Sequence, residues 1–213
     1  MQTIIHNLII LDASGSMNGI KREAIDGFNG TVRTIREAQE RHPDQEHRLS
    51  LVIFNSSGTR TVHDDVPVAQ VRGLTPEDYR PNSGTPLFDA LGNGITALRG
   101  KVAEGDLVLV TTITDGEENA SREYTRAAVR ALVEELKTKG WVFTYLGANQ
   151  DVRASAEEPS IDNSLAWDST EEGTAEMYFK EGKARSRFFD RIAESMGSMI
   201  DARIVPFFED FDD

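Results

Sequence analysis

The sequence predicts an α/β protein with a doubly wound sheet that is mostly parallel, has one antiparallel edge strand and carries helices on both faces. Short apolar runs that lack polar alternation recur along the chain, as is typical of strands buried on both faces. These runs alternate with longer stretches whose apolar residues recur at helical spacing. One pair of strand-like segments is joined only by a short polar turn, which predicts the antiparallel edge.

The first part of the chain contains a strand, a long helix and a hairpin. Thr3 to Leu11 is rich in Ile and Leu and too short for a typical helix, so we expect a central parallel strand. From Ile20 to about Arg41 the apolar positions follow helical spacing, although Gly27 and Gly30 fall within this stretch. Arg48 to Asn55 and Thr59 to Asp65 flank a Ser-Ser-Gly turn and predict a hairpin at the sheet edge.

Two Thr-Pro pairs indicate helix starts, because Thr is a favoured N-cap and Pro fits the first helical position. Thr75-Pro76 predicts a short helix. Thr85-Pro86 predicts a longer helix that runs through Leu98.

The later part of the chain continues the alternation of strands and helices. Leu107 to Thr114 and Trp141 to Leu146 are predicted strands, and the helical pattern from Tyr124 to Leu136 lies between them. We then expect a short helix around Val152 to Ala156 and a weak strand near Leu165 to Trp167. A last helix is expected to turn inward Met177, Ala184, Phe188, Ile192 and Met196.

Length and composition predict one soluble domain. The 213 residues suffice for one sizeable α/β domain, which we place at 1–205, followed by an acidic, poorly ordered tail at 206–213. The net charge of −13 disfavours nucleic acid and anionic membranes as partners. We expect a cytoplasmic location, because no apolar run approaches a membrane span and no secretory signal is evident at the N-terminus. The sequence leaves the oligomeric state open.

Oxygen-bearing side chains follow three of the predicted element boundaries. Asp12, Ser14 and Ser16 alternate in a small turn directly after the first strand, so they can converge on one point. Asp115 follows the strand that ends at Thr114 in the same way, and Thr85 opens a helix. In parallel sheets ligands bind at the carboxyl ends of the strands, where these loops should meet.

The donor types in this set indicate which metal would bind. All five residues offer hard oxygen atoms, and neither His nor Cys is among them. Such a set favours Mg2+, with Mn2+ and Ca2+ as alternatives, over zinc or copper. The alternative without a metal is that Asp and Ser only form turns and that Thr85 is an ordinary N-cap.

The pattern Asp12-x-Ser14-x-Ser16, with Thr85 and Asp115, resembles the metal ion-dependent adhesion site of von Willebrand factor type A (VWA) domains. The resemblance in element order covers nearly the whole chain. The stretches 83–87, Ser-Gly-Thr-Pro-Leu, and 114–116, Thr-Asp-Gly, are similar to those of bacterial members.

The resemblance implies a Rossmann-like sheet and a bound divalent metal. It further implies that the two serines and the threonine contact the metal directly or through water, and that the aspartates commonly act through water. The resemblance also implies that an open coordination position on the metal accepts an Asp or Glu carboxylate from a partner protein. Met17-Asn18 stands where integrin-type members carry an acidic pair, so a second metal is not expected.

Other polar residues receive no role in the predicted site. Asp89, Glu117, Glu118 and Asn119 could rim it, but surface residues of these types are more often simply solvated. Asn149 is a second-choice rim residue that suits a helix cap better. The histidines are scattered and lack the spacing of metal ligands.

Three functions remain open at this point. The first is a metal-dependent protein-binding module, and the second is a metal-dependent hydrolase. A hydrolase would need a base that the sequence does not reveal, and Ser14 and Ser16 have no evident histidine partner. The third is a scaffold whose metal site is purely structural. We expect a binding module and no enzyme.

Overall fold

The computed structural model describes residues 2–148, 159–195 and 206–208. Within these ranges the chain forms six strands and four α-helices. The strands are β1 (Thr3–Asp12), β2 (Gln45–Asn55), β3 (Gly58–Pro67), β4 (Leu107–Thr114), β5 (Val142–Ala148) and β6 (Asn163–Trp167). The helices are α1 (Lys21–Arg41), α2 (Leu87–Arg99), α3 (Arg126–Thr138) and α4 (Glu171–Glu194).

The strands form one sheet in the order β3-β2-β1-β4-β5-β6. All neighbouring pairs are parallel except β2 and β3, which are antiparallel and lie at one edge. β1 lies between β2 and β4, with Ile9 in register with Leu51 on one side and Thr111 on the other. The predicted α/β class with one antiparallel edge strand is therefore confirmed.

Both faces of the sheet are covered by helices. Ile9 of β1 belongs to a core cluster shared with α1 and α4, whereas its neighbour Ile10 belongs to a second cluster shared with α2 and α3. Successive residues of a strand point to opposite faces. Burial on both sides therefore explains why β1 is rich in Ile and Leu and lacks regular polar alternation, with His6 and Asn7 as the two polar residues in its middle.

A buried polar network holds α4 on the sheet. Arg185, which is fully buried, donates from Nε to Glu181 Oε1 over 2.6 Å. Its Nη1 donates to Asn7 Oδ1 of β1 over 3.0 Å, and its Nη2 donates to Thr111 Oγ1 of β4 over 2.8 Å. Helix α4 is thus fixed to β1 and β4 by hydrogen bonds as well as by apolar contacts.

The edge strand β3 is irregular. Its pairing with β2 shifts register between Leu49 and Leu51 and again between Leu51 and Val52. Asp65 adopts a left-handed backbone conformation with φ of 55°, and its N–H donates to Ser50 Oγ. Asp tolerates this conformation better than most residues. β3 is therefore a bulged strand.

The predicted short helix at Thr75-Pro76 is wrong. Residues 76–78 form only a turn, in which Asp78 accepts hydrogen bonds from the N–H and the hydroxyl of Thr75. The following Pro81 disfavours a helical conformation at Arg80, so the turn does not propagate.

The end of the chain is described in part. The predicted helix at Val152 to Ala156, together with Asn149 and Met196, lies outside the described residues. The predicted domain and tail limits stay a prediction, but Phe207 is buried, with its ring centroid 5.5 Å from that of Phe188. No helix within the described ranges is long and apolar enough to cross a membrane.

Candidate metal centre

The candidate site lies at the carboxyl edge of the sheet, where three chain segments meet. β1 and β4 are paired in parallel up to Leu11 and Ile113, so Asp12, the last residue of β1, and Asp115, the residue after β4, lie on the same edge. The N-terminus of α2 brings Thr85 to this edge from a different part of the chain. The sequence-predicted residues come from these three segments.

Asp12 is the most firmly held member of the group. Its side chain is completely buried, Oδ1 accepts the N–H of Ser14 over 2.6 Å, and Oδ2 accepts the hydroxyl of Thr114 over 2.6 Å. Its backbone oxygen accepts the hydroxyl of Tyr79 over 2.5 Å. Contacts on the backbone and on both carboxylate oxygens fix the position of this carboxylate.

The two serines connect Asp12 to Asp115. Ser14 Oγ lies 3.1 Å from Ser16 Oγ, and Ser16 Oγ donates to Asp115 Oδ1 over 2.6 Å. The other oxygen of Asp115, Oδ2, accepts the hydroxyl of Ser169 over 3.4 Å. Four of the five predicted residues therefore form one continuous chain of contacts.

Thr85 is buried beside them but does not act as an ordinary N-cap. The N-cap position of α2 is Pro86, and no side chain at that position caps the helix. Instead, Phe88 N–H donates to Glu118 Oε2 and Asp89 N–H donates to Ser121 Oγ. The alternative reading of Thr85 as an N-cap is wrong, because residues of the loop after β4 satisfy the helix start.

Gly116 shows how closely the oxygen atoms converge. A Cβ atom built on this glycine would lie 3.1 Å from Thr85 Oγ1, 3.7 Å from Ser16 Oγ and 3.9 Å from Asp12 Oδ2. One point beside the loop after β4 is therefore within 4 Å of oxygens from two other segments, the end of β1 and the start of α2. Hydroxyl and carboxylate oxygens are the donors that hard divalent cations prefer, so these residues fit such an ion.

The electrostatics of the two aspartates agree with this chemistry. Burial raises the pKa of Asp12 to about 6, although hydrogen bonds from Thr114 and Ser14 oppose the shift. Burial also raises the pKa of Asp115, against hydrogen bonds from Ser16 and Ser169. Both carboxylates are therefore costly to ionise in this environment, and a nearby cation would stabilise their charged forms.

Sequence reasoning missed the residues that support the site. Thr114 was read only as the end of a strand, yet its hydroxyl contacts Asp12. Asp89, Glu118 and Asn119 were read as solvated, yet each accepts backbone N–H groups at this edge. The sequence does show several side chains that can accept hydrogen bonds directly after Asp115-Gly116. The N–H groups that they bind belong to a distant segment, so they could not be identified before the tertiary structure was known.

Comparisons of the chain with known proteins reveal likeness in structure only. No protein-family model matches the sequence, and no curated protein matches it. The VWA domain of SpRpn10 is similar with a TM-score of 0.55 at 9% identity, over 81% of this chain and 92% of that one. The pilus adhesin SpaC from Lactobacillus rhamnosus GG is similar with a TM-score of 0.65 at 14% identity, over 89% of this chain and 30% of that one.

A third solved structure, the D319A mutant of the PilB minor pilin from Streptococcus sanguinis, has a TM-score of 0.60 at 13% identity. This match covers 93% of the present chain and 64% of the PilB chain. The present chain therefore spans less than two thirds of the length of either pilus protein. Together with the sheet order and the helices on both faces, these likenesses define the fold as VWA-like. At such low identity they define the fold alone.

Proposed function

We propose that this chain is a metal-dependent protein-binding module whose metal accepts an Asp or Glu carboxylate from a partner protein. The proposed metal is Mg2+, with Mn2+ or Ca2+ as alternatives, held by Asp12, Ser14, Ser16, Thr85 and Asp115. The observation that carries the proposal is the convergence of Asp12, Ser16 and Thr85 oxygens beside Gly116, together with the bond from Ser16 to Asp115.

The ligand types explain why such a metal would bind an acidic partner. Hydroxyl ligands carry no formal charge, so they neutralise a divalent cation less than direct carboxylates would. Mg2+ also requires about six ligands and usually keeps some waters, which a partner carboxylate can replace. The solved structure of SpaC is described as that of a pilus adhesin, which is a binding role on a similar fold.

The net charge of the chain restricts the partner. A charge of −13 repels broadly acidic proteins. We therefore expect the bound carboxylate to project from a neutral or basic surface, so that local coordination and long-range steering act together.

The hydrolase alternative has no specific support at this site. The hydroxyls of Ser14 and Ser16 contact one another, and Ser16 donates to the carboxylate of Asp115, which the proposal assigns to the metal. A serine nucleophile is commonly activated by a histidine, and the histidines contact other groups. His6 lies between Asp65 and Asp106, and His63 contacts the backbone of Arg72. His42 contacts Asp190 and His47 contacts Gln45, both away from the serines.

Calorimetry with Mg2+ and Mn2+ tests the proposal. Wild type should bind the metal and gain thermal stability from it, whereas Asp12→Ala and Ser16→Ala should lose both effects. Asp44→Ala is the matched control, because it removes an exposed carboxylate at the opposite end of β1, beside Thr3. Equal metal affinity in wild type and Asp12→Ala would refute the site.

A pull-down from lysate tests the partner. Proteins captured in Mg2+ and lost in EDTA, and also lost with Asp12→Ala, would support the binding module. The same proteins captured with equal strength in EDTA would contradict it.

A further inference from the structure

We infer that Asn119 and Glu118 are positioning residues of the metal centre, which they serve by locking the N-terminus of α2 onto the loop that follows β4. This inference rests on the proposed metal site. The lock, called here the α2 clamp, consists of Asp89, Glu118, Asn119 and Ser121 with the backbone groups that they bind. It deepens the proposed function by adding residues that do not touch the metal position themselves.

Asn119 forms a reciprocal pair with Thr85. Thr85 N–H donates to Asn119 Oδ1 over 2.8 Å, and Asn119 N–H donates to the backbone oxygen of Thr85 over 3.1 Å. A Cβ built on Gly84 would lie 2.8 Å from Asn119 Oδ1, so a side chain at position 84 would have to displace the amide of Asn119. Two opposed bonds fix both the distance and the orientation of the Thr85 backbone.

Glu118 makes the second connection. Its Oε2 accepts Phe88 N–H over 2.9 Å, which satisfies a free donor at the start of α2. Its Oε1 accepts the N–H groups of Ala120 and Ser121 within its own loop. One carboxylate therefore bonds to the helix that follows Thr85 and to the loop that carries Asp115.

Asp89 is a residue of α2 whose side chain binds the backbone of the loop. Its carboxylate accepts the N–H groups of Arg122, Glu123 and Tyr124 over 2.8 to 2.9 Å. The ring of Tyr124 lies over Gly92 of α2, where a Cβ would come within 2.3 Å of it. The loop is thereby fixed along the first turns of the helix.

The α2 clamp would affect metal binding because it joins two segments that carry proposed metal ligands. Asn119 is four residues from Asp115, and its partner Thr85 is a proposed ligand. Thr85 and Asp115 lie on segments that are distant in sequence, and the clamp bonds these segments directly beside the site. Outer residues that orient metal ligands typically change metal affinity by about 10- to 100-fold when they are replaced.

Metal titration of folded variants tests this inference. Mn2+ affinity is measured by calorimetry at low temperature for Asn119→Ala and Glu118→Gln, after circular dichroism has shown that each is folded. We expect both to bind Mn2+ about 10- to 100-fold more weakly than wild type. Asn119 is exposed, so its replacement by Ala should leave the domain folded.

Matched controls separate positioning from charge and from stability. Glu117→Gln removes the same charge at the neighbouring exposed position, and Asn93→Ala removes an amide whose bond to Glu123 lies on the surface. Both controls should bind Mn2+ within about twofold of wild type. Unfolding in EDTA is measured in parallel, because a purely structural clamp would change unfolding and leave the metal affinity of folded protein unchanged.

Each result has a distinct meaning. If wild type binds Mn2+ and Asp12→Ala does not, while Asn119→Ala and Glu118→Gln bind as tightly as wild type, the positioning role is overturned and the metal site stands. If wild type does not bind Mn2+, the proposed function itself fails.

Discussion

Thr114, at the end of β4, donates its hydroxyl hydrogen to Oδ2 of Asp12, at the end of β1, over 2.6 Å. The acceptor is a buried carboxylate, so this bond is of the stronger, charge-assisted kind. Two residues earlier on β4, the hydroxyl of Thr112 is buried without a hydrogen-bond partner. The same residue type thus occurs in one strand with hydrogen-bond partners, at Thr111 and Thr114, and without one, at Thr112.

Thr114 and Thr112 should respond in opposite ways to the same replacement. Thr114→Val at pH 8 should destabilise the domain by about 1.5–3 kcal/mol, because the charged acceptor loses its donor. Thr112→Val should stabilise it by about 1 kcal/mol, because an unsatisfied buried hydroxyl becomes a methyl group of similar shape. Urea unfolding of both variants measures the difference, and equal changes would show that the hydroxyl at 114 contributes no specific bond.

Gly116→Ala should weaken metal binding while leaving the fold intact. The new methyl group would occupy the position 3.1 Å from Thr85 Oγ1 where the oxygens converge. We expect Mn2+ affinity to fall at least about tenfold, with unfolding in EDTA changed by no more than about 1 kcal/mol. Gly19→Ala is the control, since a Cβ there meets nothing within 4 Å. Retained affinity in Gly116→Ala would place the metal elsewhere.

His6 should make stability fall as the pH rises above neutrality. Burial lowers the pKa of His6, but hydrogen bonds and charges from Asp65 and Asp106 outweigh it, so the pKa is raised above 6.5. Arg48 also faces this group, through Asp65. The imidazolium therefore stabilises the fold fully below pH 6.5, and the contribution is lost as the pH rises through the raised pKa.

Urea unfolding between pH 6.5 and 8.5 checks this sign. His6→Gln should flatten the decline in unfolding free energy across that range. His63→Gln is the control, because the pKa of His63 is lowered by burial and its titration falls below pH 6.5. An unchanged slope in His6→Gln would mean that His6 does not titrate as described.

Arg185→Met should be among the most damaging core substitutions. It leaves the carboxylate of Glu181 buried without its cation, at a cost of about 3–5 kcal/mol. Adding Glu181→Leu should recover much of the loss, because no uncompensated charge then remains. Arg130→Met breaks an exposed pair with Glu134 and should change stability by less than about 0.5 kcal/mol. Chemical denaturation distinguishes these outcomes, and additive losses in the double variant would contradict the pairing.

The sequence predicts the parts of the fold that depend on local pattern. β1 and β4 are buried on both faces, so both are rich in apolar and β-branched residues without regular polar alternation, and this pattern is readable without a structure. Asp12, Ser14 and Ser16 lie within one turn, and their proximity follows from their spacing. The position of Asp115 beside them follows from the parallel pairing of β1 with β4.

The features that escaped prediction depend on contacts between distant segments. The Thr-Pro signal is present at both Thr75 and Thr85, yet only the second precedes a helix. At that second position the donors of the helix are satisfied by Glu118 and Ser121, which no local rule could specify. A pattern of residue types shows what a helix start needs, but not which segment supplies it.

The bulge in β3 also affects whether another protein chain can add a strand to this edge of the sheet. A regular edge strand presents a row of free N–H and C=O groups on which another chain can add a strand. In β3 that row is interrupted by the register shifts around Leu51 and by the left-handed Asp65. Its exposed residues include the charged Arg60 and Asp64. This edge therefore resists strand addition and the aggregation that follows from it.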